Sequence, residues 1–260
     1  MLLQFLLELP LLLLGGVLFP AMLLTVEAGF RLGRRVARAS AERESIELGS
    51  VESAVLALLG LLIAFTFSMA VARYDERRSL VVEEANALGT AWLRCDLLPE
   101  PRRTVAREQL RAYIEARVQQ LDEEKALTTT PQMKQWLDAL WRQVADASMQ
   151  ESRAETTALA VQAVNAVIDL GAARSAADVN HIPIPVFKLL VIFTLVALLM
   201  MGYARGLRGI RVFSLMAMLC VLLSLVLLLI VDLDRPHRGT IRIRGMPLRE
   251  LLTDIQQAGS

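Results

Sequence analysis

Residues 51–98 read VESAVLALLGLLIAFTFSMAVARYDERRSLVVEEANALGTAWLRCDLL, an apolar run that passes directly into a polar one. The apolar part, Val51 to Ala72, has the length of about 20 residues that a helix needs to cross a bilayer core. No proline interrupts the chain between Ala72 and Leu98. We therefore expect a membrane helix that continues into water as a long rod and ends at Pro99.

Three further apolar runs are long enough to cross a membrane, Leu9–Val26, Val186–Tyr203 and Val212–Val231. The first of them lacks the basic start and the small-residue cleavage site of a signal peptide, so we interpret it as a helix of the mature protein. The composition agrees, because 55% of the residues are hydrophobic. The sequence thus predicts four transmembrane helices.

The chain between the second and third spans is charged, rich in alanine and leucine, and shows helical rather than alternating periodicity. Prolines and threonines divide it into segments, with new helices expected from Pro101, from Pro131 and from about Glu151. The predicted class is an all-α integral membrane protein with a helical extramembrane domain inserted between its second and third spans. The predicted parts are a first transmembrane hairpin (1–72), the helical domain (73–185), a second transmembrane hairpin (186–231) and a C-terminal tail (232–260).

Several functional classes are disfavoured by composition and motif content. A formal net charge of +1 does not supply the concentrated basic face that nucleic acid requires. Cys95 and Cys220 have no metal-binding or redox spacing, and His181 and His237 are far apart and near membrane boundaries. No nucleophile elbow, phosphate loop or zinc motif is present. We expect no enzyme, no metal and no cofactor, and we rate Gly202xxxGly206, at the predicted end of the third span, as a weak helix-packing motif.

Charged residues cluster at two span ends. Arg73, Glu76 and Arg78 directly follow the second span, and the spacing of Arg73 and Glu76 would let them pair on one helix face. Asp232 and Asp234 end the fourth span, where acidic groups oppose the helix dipole and therefore need a partner. These clusters are either ordinary interfacial anchors or a junction in which the basic residues neutralise the acidic ones.

At these two stretches the sequence resembles the bestrophin-like bacterial membrane proteins and, more distantly, the bestrophin chloride channels. The first block, about 60–99, has a Gly/Leu-rich run and then Phe65 followed at a fixed interval by Arg, Glu and Arg. The second block, 231–251, has acids, a proline and later the pair Pro247 and Leu248. Thr66 and Ser68 stand where the channels have Arg and Asn, so the resemblance is stronger to the bestrophin-like group than to the channels.

The resemblance implies a homo-oligomer in the lipid bilayer, with five as the implied number of subunits and ions as the conducted species. It also implies that the second span lines a central path. On that helix Ala57, Leu61 and Phe65 are four residues apart and share one stripe, which predicts an apolar gate accompanied by the polar Thr66 and Ser68. The alternatives are that this stripe packs on neighbouring spans or lipid, and that the protein is a non-conducting sensor or scaffold.

Charge does not settle the orientation. The short loops place eight basic residues inside if the N-terminus is outside, whereas helix flanks and the tail place nine inside in the opposite arrangement. The resemblance implies a cytoplasmic helical domain. Lysine supplies only three of the 28 basic residues, which indicates GC-rich coding and hence a bacterial inner membrane as the location.

Overall fold

The computed structural model describes residues 10–39, 48–123, 128–150, 154–235, 241 and 245–258. These residues form eight α-helices, a short 3₁₀ turn at Cys95–Leu97 and no strand. The helices are α1 (Leu11–Ala39), α2 (Leu48–Arg94), α3 (Arg102–Asp122), α4 (Pro131–Gln150), α5 (Ala154–Val179), α6 (Ile184–Arg208), α7 (Phe213–Asp234) and α8 (Met246–Ala258). The predicted all-α class is confirmed.

Four helical segments in the described residues are long and apolar enough to cross a membrane, and they lie in α1, α2, α6 and α7. The predicted spans fall on these four helices, but the helices are longer. α1 continues to Ala39 and α6 to Arg208, because arginines at a helix end extend their charged groups to water while the backbone continues. The long rod is also present, since α2 is continuous from Leu48 to Arg94.

Residues 1–72 and 182–240 form one compact unit, which we call the membrane unit. In this unit α1 packs against both α6 and α7. The buried face of α1 recurs every fourth residue, at Leu14, Leu18, Met22 and Val26. The hydroxyl of Ser224 on α7 donates to the sulfur of Met22 at 3.3 Å, so even a polar residue of this span finds a partner inside the unit.

Glycines set the distance between α1 and α6. A Cβ built on Gly29 would overlap the carbonyl oxygen of Leu199, and one built on Gly202 would overlap that of Val26. Gly33 and Gly206 show the same backbone contact one turn further along. The Gly202xxxGly206 motif that we rated as weak therefore lies inside a helix and packs on a second such motif, Gly29xxxGly33, which the sequence analysis missed.

Residues 73–181 and 241–260 form a second compact unit, which we call the helical unit. It holds the second half of α2 together with α3, α4, α5 and α8 around a core rich in leucine, valine and alanine. The predicted C-terminal tail, residues 232–260, contains helix α8, which contributes to this core. Leu248 and Ile255 are buried at a spacing of seven residues, and Pro247 occupies the first turn, where its missing N–H is harmless.

Candidate pore-lining site

The membrane part of α2 has one buried face and one exposed face. Leu59, Thr66 and Ala70 are its buried residues, and their spacing of seven and four places them on one side of the helix. At 100° per residue, Leu61 lies roughly 200° and Phe65 roughly 240° from Leu59. The predicted stripe is therefore on the side of α2 that faces away from the rest of its own unit.

The exposed stripe combines two bulky residues with small ones. Phe65 and Leu61 are 64% and 51% exposed, respectively. Ala57, Ala64 and Ser68 are exposed at neighbouring positions of the same face. If copies of this face surround an axis, Leu61 and Phe65 are the side chains that reach furthest towards it. Ala57, which we included in the predicted gate, is too short to narrow a path.

Thr66 does not share this face. Its side chain is only 3% exposed, and its hydroxyl donates to the carbonyl oxygen of Leu62 at 2.7 Å within the same helix. Adjacent residues of a helix point about 100° apart, so Phe65 and Thr66 cannot both face one path. We therefore leave Thr66 out of the candidate lining and keep Ser68 in it.

The residues of the two charged clusters have different surroundings. Glu76 and Arg78 are exposed, and no ion pair joins Arg73 to Glu76, although both lie in the described part of the chain. Asp234 accepts a hydrogen bond from the backbone N–H of Ile182 at 2.9 Å. This contact lies inside the membrane unit and connects the end of α7 to the segment that leads into α6.

Asp232 is buried and belongs to the wall of an apolar groove of about 540 Å³ between α1 and α7. Gly15 and Ser224 are among the small residues that line this groove. A neutralising contact between these two acids and the arginines after the second span remains a prediction.

The helical unit contains a buried group of charged residues that the sequence analysis missed. The carboxylate of Glu84 on α2 is fully buried and accepts hydrogen bonds from the hydroxyl of Tyr113 and from Nε of Arg117, both at 2.9 Å. Its second oxygen contacts Nη1 of Arg174 on α5. One carboxylate thus joins three helices.

Side chains around Arg117 satisfy its remaining donors. Nη1 donates to the amide oxygen of Gln120 at 3.1 Å, and Nη2 donates to the hydroxyls of Tyr113 at 2.8 Å and Thr129 at 3.1 Å. Burial, together with the Glu84 carboxylate, raises the pKa of Tyr113 well above its ordinary range, so the phenol stays protonated and can donate. These contacts of Glu84 and Arg117 link α2 to α3, and the contact of Glu84 with Arg174 links α2 to α5.

The same network leaves part of Arg174 without partners. Its Nε and Nη2 are buried and make no hydrogen bond to any residue that the structure describes. Glu84 lies on the stripe formed by Val81, Leu88 and Cys95, all of them buried. A charged residue inside such an apolar stripe was the signal that could have revealed the network.

Comparison with known proteins agrees with this architecture. The model of the bestrophin-like domain matches residues 21–248, and the chain belongs to the bestrophin-like family. No curated protein matches the sequence.

Solved structures with the same fold include a bacterial bestrophin homologue from Klebsiella pneumoniae. A single-residue variant of that protein is similar with a TM-score of 0.61 at 15% identity, over 91% of this chain and 95% of the other. The structure of the homologue that was phased with zinc has a TM-score of 0.58 at 17% identity, over 91% of this chain and 95% of the other. The resemblance inferred from the sequence is confirmed, and at this identity the structural match establishes the fold.

Proposed function

We propose that the chain is one subunit of a homo-oligomeric ion pore, lined by the exposed face of α2, with Leu61 and Phe65 as its apolar constriction. The observation that carries this proposal is the composition of that face. Two bulky apolar residues stand between small ones, on the side of a transmembrane helix that its own chain leaves uncovered.

The chemistry of the face supports a gate that needs no charge. A ring of apolar side chains that is narrow enough sheds water and so blocks ions, whereas wider positions with small or hydroxyl side chains stay wet. Leu61 and Phe65 supply the first kind of surface, and Ala64 and Ser68 supply the second. The chain belongs to the bestrophin-like family, which is named after the bestrophin chloride channels, and this membership supports the same interpretation.

The first prediction concerns the constriction. Replacing both residues, Leu61→Ala and Phe65→Ala, should raise ion flux through the purified protein in liposomes several-fold, because the ring then stays hydrated. Phe67→Ala is the matched control: it removes the same side chain from a position about 200° from Phe65 along the helix circumference. We expect flux through that variant to remain at the wild-type level.

The measurement uses separate liposome sets with sodium and with chloride gradients, since the structure does not select the ion. The mass of each variant in mild detergent shows whether the oligomer is intact. Two outcomes would contradict the gate: equal flux in the double variant and in Phe67→Ala, or a monomeric wild-type protein. An intact oligomer that shows no flux in any variant would favour the sensor or scaffold function.

The second prediction concerns orientation, and we propose that the helical unit is cytoplasmic. The native Cys95 is a poor reporter, because it is buried and its pKa is raised to about 11 by that burial, which keeps it in the unreactive thiol form. Two engineered cysteines in a background without Cys95 and Cys220 avoid this problem. They are Gln135→Cys on α4 and Ile210→Cys in the loop after α6, both at exposed positions.

An impermeant maleimide added to intact cells should label Ile210→Cys and should label Gln135→Cys only after the membrane is permeabilised. The two sites are separated along the chain by the single span in α6, so each serves as the control for the other. The reverse pattern would show that the count of basic residues in the short loops, and not the family resemblance, gives the correct orientation.

A further inference from the structure

One face of α1 carries arginines where the helix leaves the membrane. Arg31, Arg35 and Arg38, which we call the arginine stripe, are exposed and lie at spacings of four and three residues, so they share one side of the helix. Arg211, in the loop after α6, reaches the same side of α1. Its Nη2 lies 2.9 Å from the Glu27 carboxylate, and its guanidinium stacks over the ring of Phe30 at 5.3 Å.

The positive charge at this end exceeds the negative charge of the same segments. Residues 26–39 and 200–216 contain seven arginines and a single acid, Glu27. Arg31 and Arg211 already bind that acid, with Nε of Arg31 at 2.8 Å. Arg35 and Arg38 make no hydrogen bond or ion pair to any residue in the described part of the chain. Their guanidinium groups can therefore receive an external anion.

The same side of α1 is apolar where it runs through the membrane. Leu13, Val17 and Leu24, which we call the apolar track, are 57%, 44% and 69% exposed. They continue the helical spacing of the arginine stripe towards the start of α1, with Glu27 between the two sets. An apolar track that leads into arginines at the interface is complementary to a phospholipid, because the acyl chain can lie along the track and the phosphate can contact the arginines.

We propose that this face of α1 binds an anionic phospholipid, with its phosphate on the arginine stripe and an acyl chain along the apolar track. Arginine suits this role because its planar guanidinium donates two parallel hydrogen bonds to a phosphate group. Arg211 neutralises Glu27 and so removes the one charge on this side of α1 that would repel the ligand. The site is independent of ion conduction and of the direction in which the chain crosses the membrane.

The test compares phosphatidylglycerol with phosphatidylcholine of identical acyl chains, each added to the full-length protein in detergent and counted by native mass spectrometry. We expect the wild-type protein to retain phosphatidylglycerol several-fold more than phosphatidylcholine. The double variant Arg35→Gln and Arg38→Gln should retain both lipids equally. Because these two side chains have no partner in the described structure, their removal leaves the fold intact, which the circular dichroism spectrum verifies.

A charge-matched control is the double variant Arg103→Gln and Arg111→Gln, which removes one half-buried and one exposed arginine of the helical unit, each of them in a surface ion pair. It should keep the preference for phosphatidylglycerol. The proposal is overturned if both double variants lose the preference to the same extent, since the effect would then be one of net charge. It is also overturned if the wild type retains phosphatidylglycerol and phosphatidylcholine equally.

A last arm separates a lipid from a free anion. Inorganic phosphate at millimolar concentration should not displace bound phosphatidylglycerol, beyond the effect of sodium sulfate at equal ionic strength, because it cannot occupy the apolar track. Complete displacement by phosphate alone would identify a site for a soluble anion and would exclude the lipid.

Discussion

Replacing Glu84 by alanine should lower the free energy of unfolding of the helical unit by about 3–5 kcal/mol, the cost of removing one partner from a buried ion pair. The carboxylate is fully buried and contacts Tyr113, Arg117 and Arg174. Without it, the buried guanidinium groups of Arg117 and Arg174 lose the carboxylate that both of them contact, and arginine cannot lose its proton to relieve this. Glu84→Gln should lower the free energy of unfolding by less than Glu84→Ala, because its amide oxygen still accepts a hydrogen bond.

Tryptophan fluorescence during denaturant unfolding measures this effect selectively, since Trp92, Trp136 and Trp141 all lie in the helical unit. The matched control is Glu115→Ala, which removes a carboxylate from an exposed pair with Arg111 at 2.9 Å. That loss should be under about 1 kcal/mol. If Glu84→Ala and Glu115→Ala unfold at the same denaturant concentration, the network does not stabilise the unit.

The number and order of the spans could be predicted from the sequence because the bilayer imposes one length on every crossing helix. The same reasoning is imprecise about where helices end. We ended the third span at Tyr203, where hydrophobicity stops, but the backbone continues as helix to Arg208. Because of that difference of five residues, Gly202 and Gly206 were placed at the end of the helix, where no second helix is expected to pack against them. Their contact with α1 was therefore missed.

The partners of Glu84 in the buried network could not be predicted, because a helical pattern shows which side of α2 is buried but not which residues of other helices contact it. Glu83 and Glu84 are identical in type and consecutive in the sequence. Glu83 is exposed and accepts a hydrogen bond from Ser79 at 2.6 Å, whereas Glu84 is fully buried among arginines of two other helices. The stripe of Val81, Leu88 and Cys95 places Glu84 on the buried side of α2. Only the positions of α3 and α5 decide which arginines contact it, and local pattern does not fix those positions.

For the candidate pore, the sequence predicted the stripe but not which of its members project. Periodicity alone places Ala57, Leu61 and Phe65 on one side of α2. It does not show that Thr66 is turned into the unit, because threonine in a membrane helix can bond to its own backbone on any face. The proposal that this face of α2 lines a pore is supported by the set of side chains exposed on it, and not by the polarity of single residues.

Glycine-to-alanine substitutions at the contact between α1 and α6 should be strongly unfavourable. Lipid tails are as apolar as leucine, so spans associate through close packing and not through the hydrophobic effect. A methyl group on Gly202 would overlap the carbonyl oxygen of Val26, and one on Gly29 would overlap that of Leu199. Since neither atom belongs to a flexible side chain, the helices must separate. We expect Gly202→Ala to cost about 1–3 kcal/mol, the usual range for overpacking, and Gly202→Leu to prevent stable assembly of the membrane unit.

Gly16 supplies the matched control on α1, because no atom lies within 4 Å of a Cβ built there. Alanine is a better helix former than glycine by about 0.5–1 kcal/mol, so Gly16→Ala should leave the protein as stable as wild type or slightly more stable. The two substitutions add the same methyl group to transmembrane helices and should change stability in opposite directions. Unfolding in mixed detergent micelles with increasing dodecyl sulfate, followed by circular dichroism, measures both. Identical unfolding curves for Gly16→Ala and Gly202→Ala would show that backbone contact between α1 and α6 does not stabilise the membrane unit.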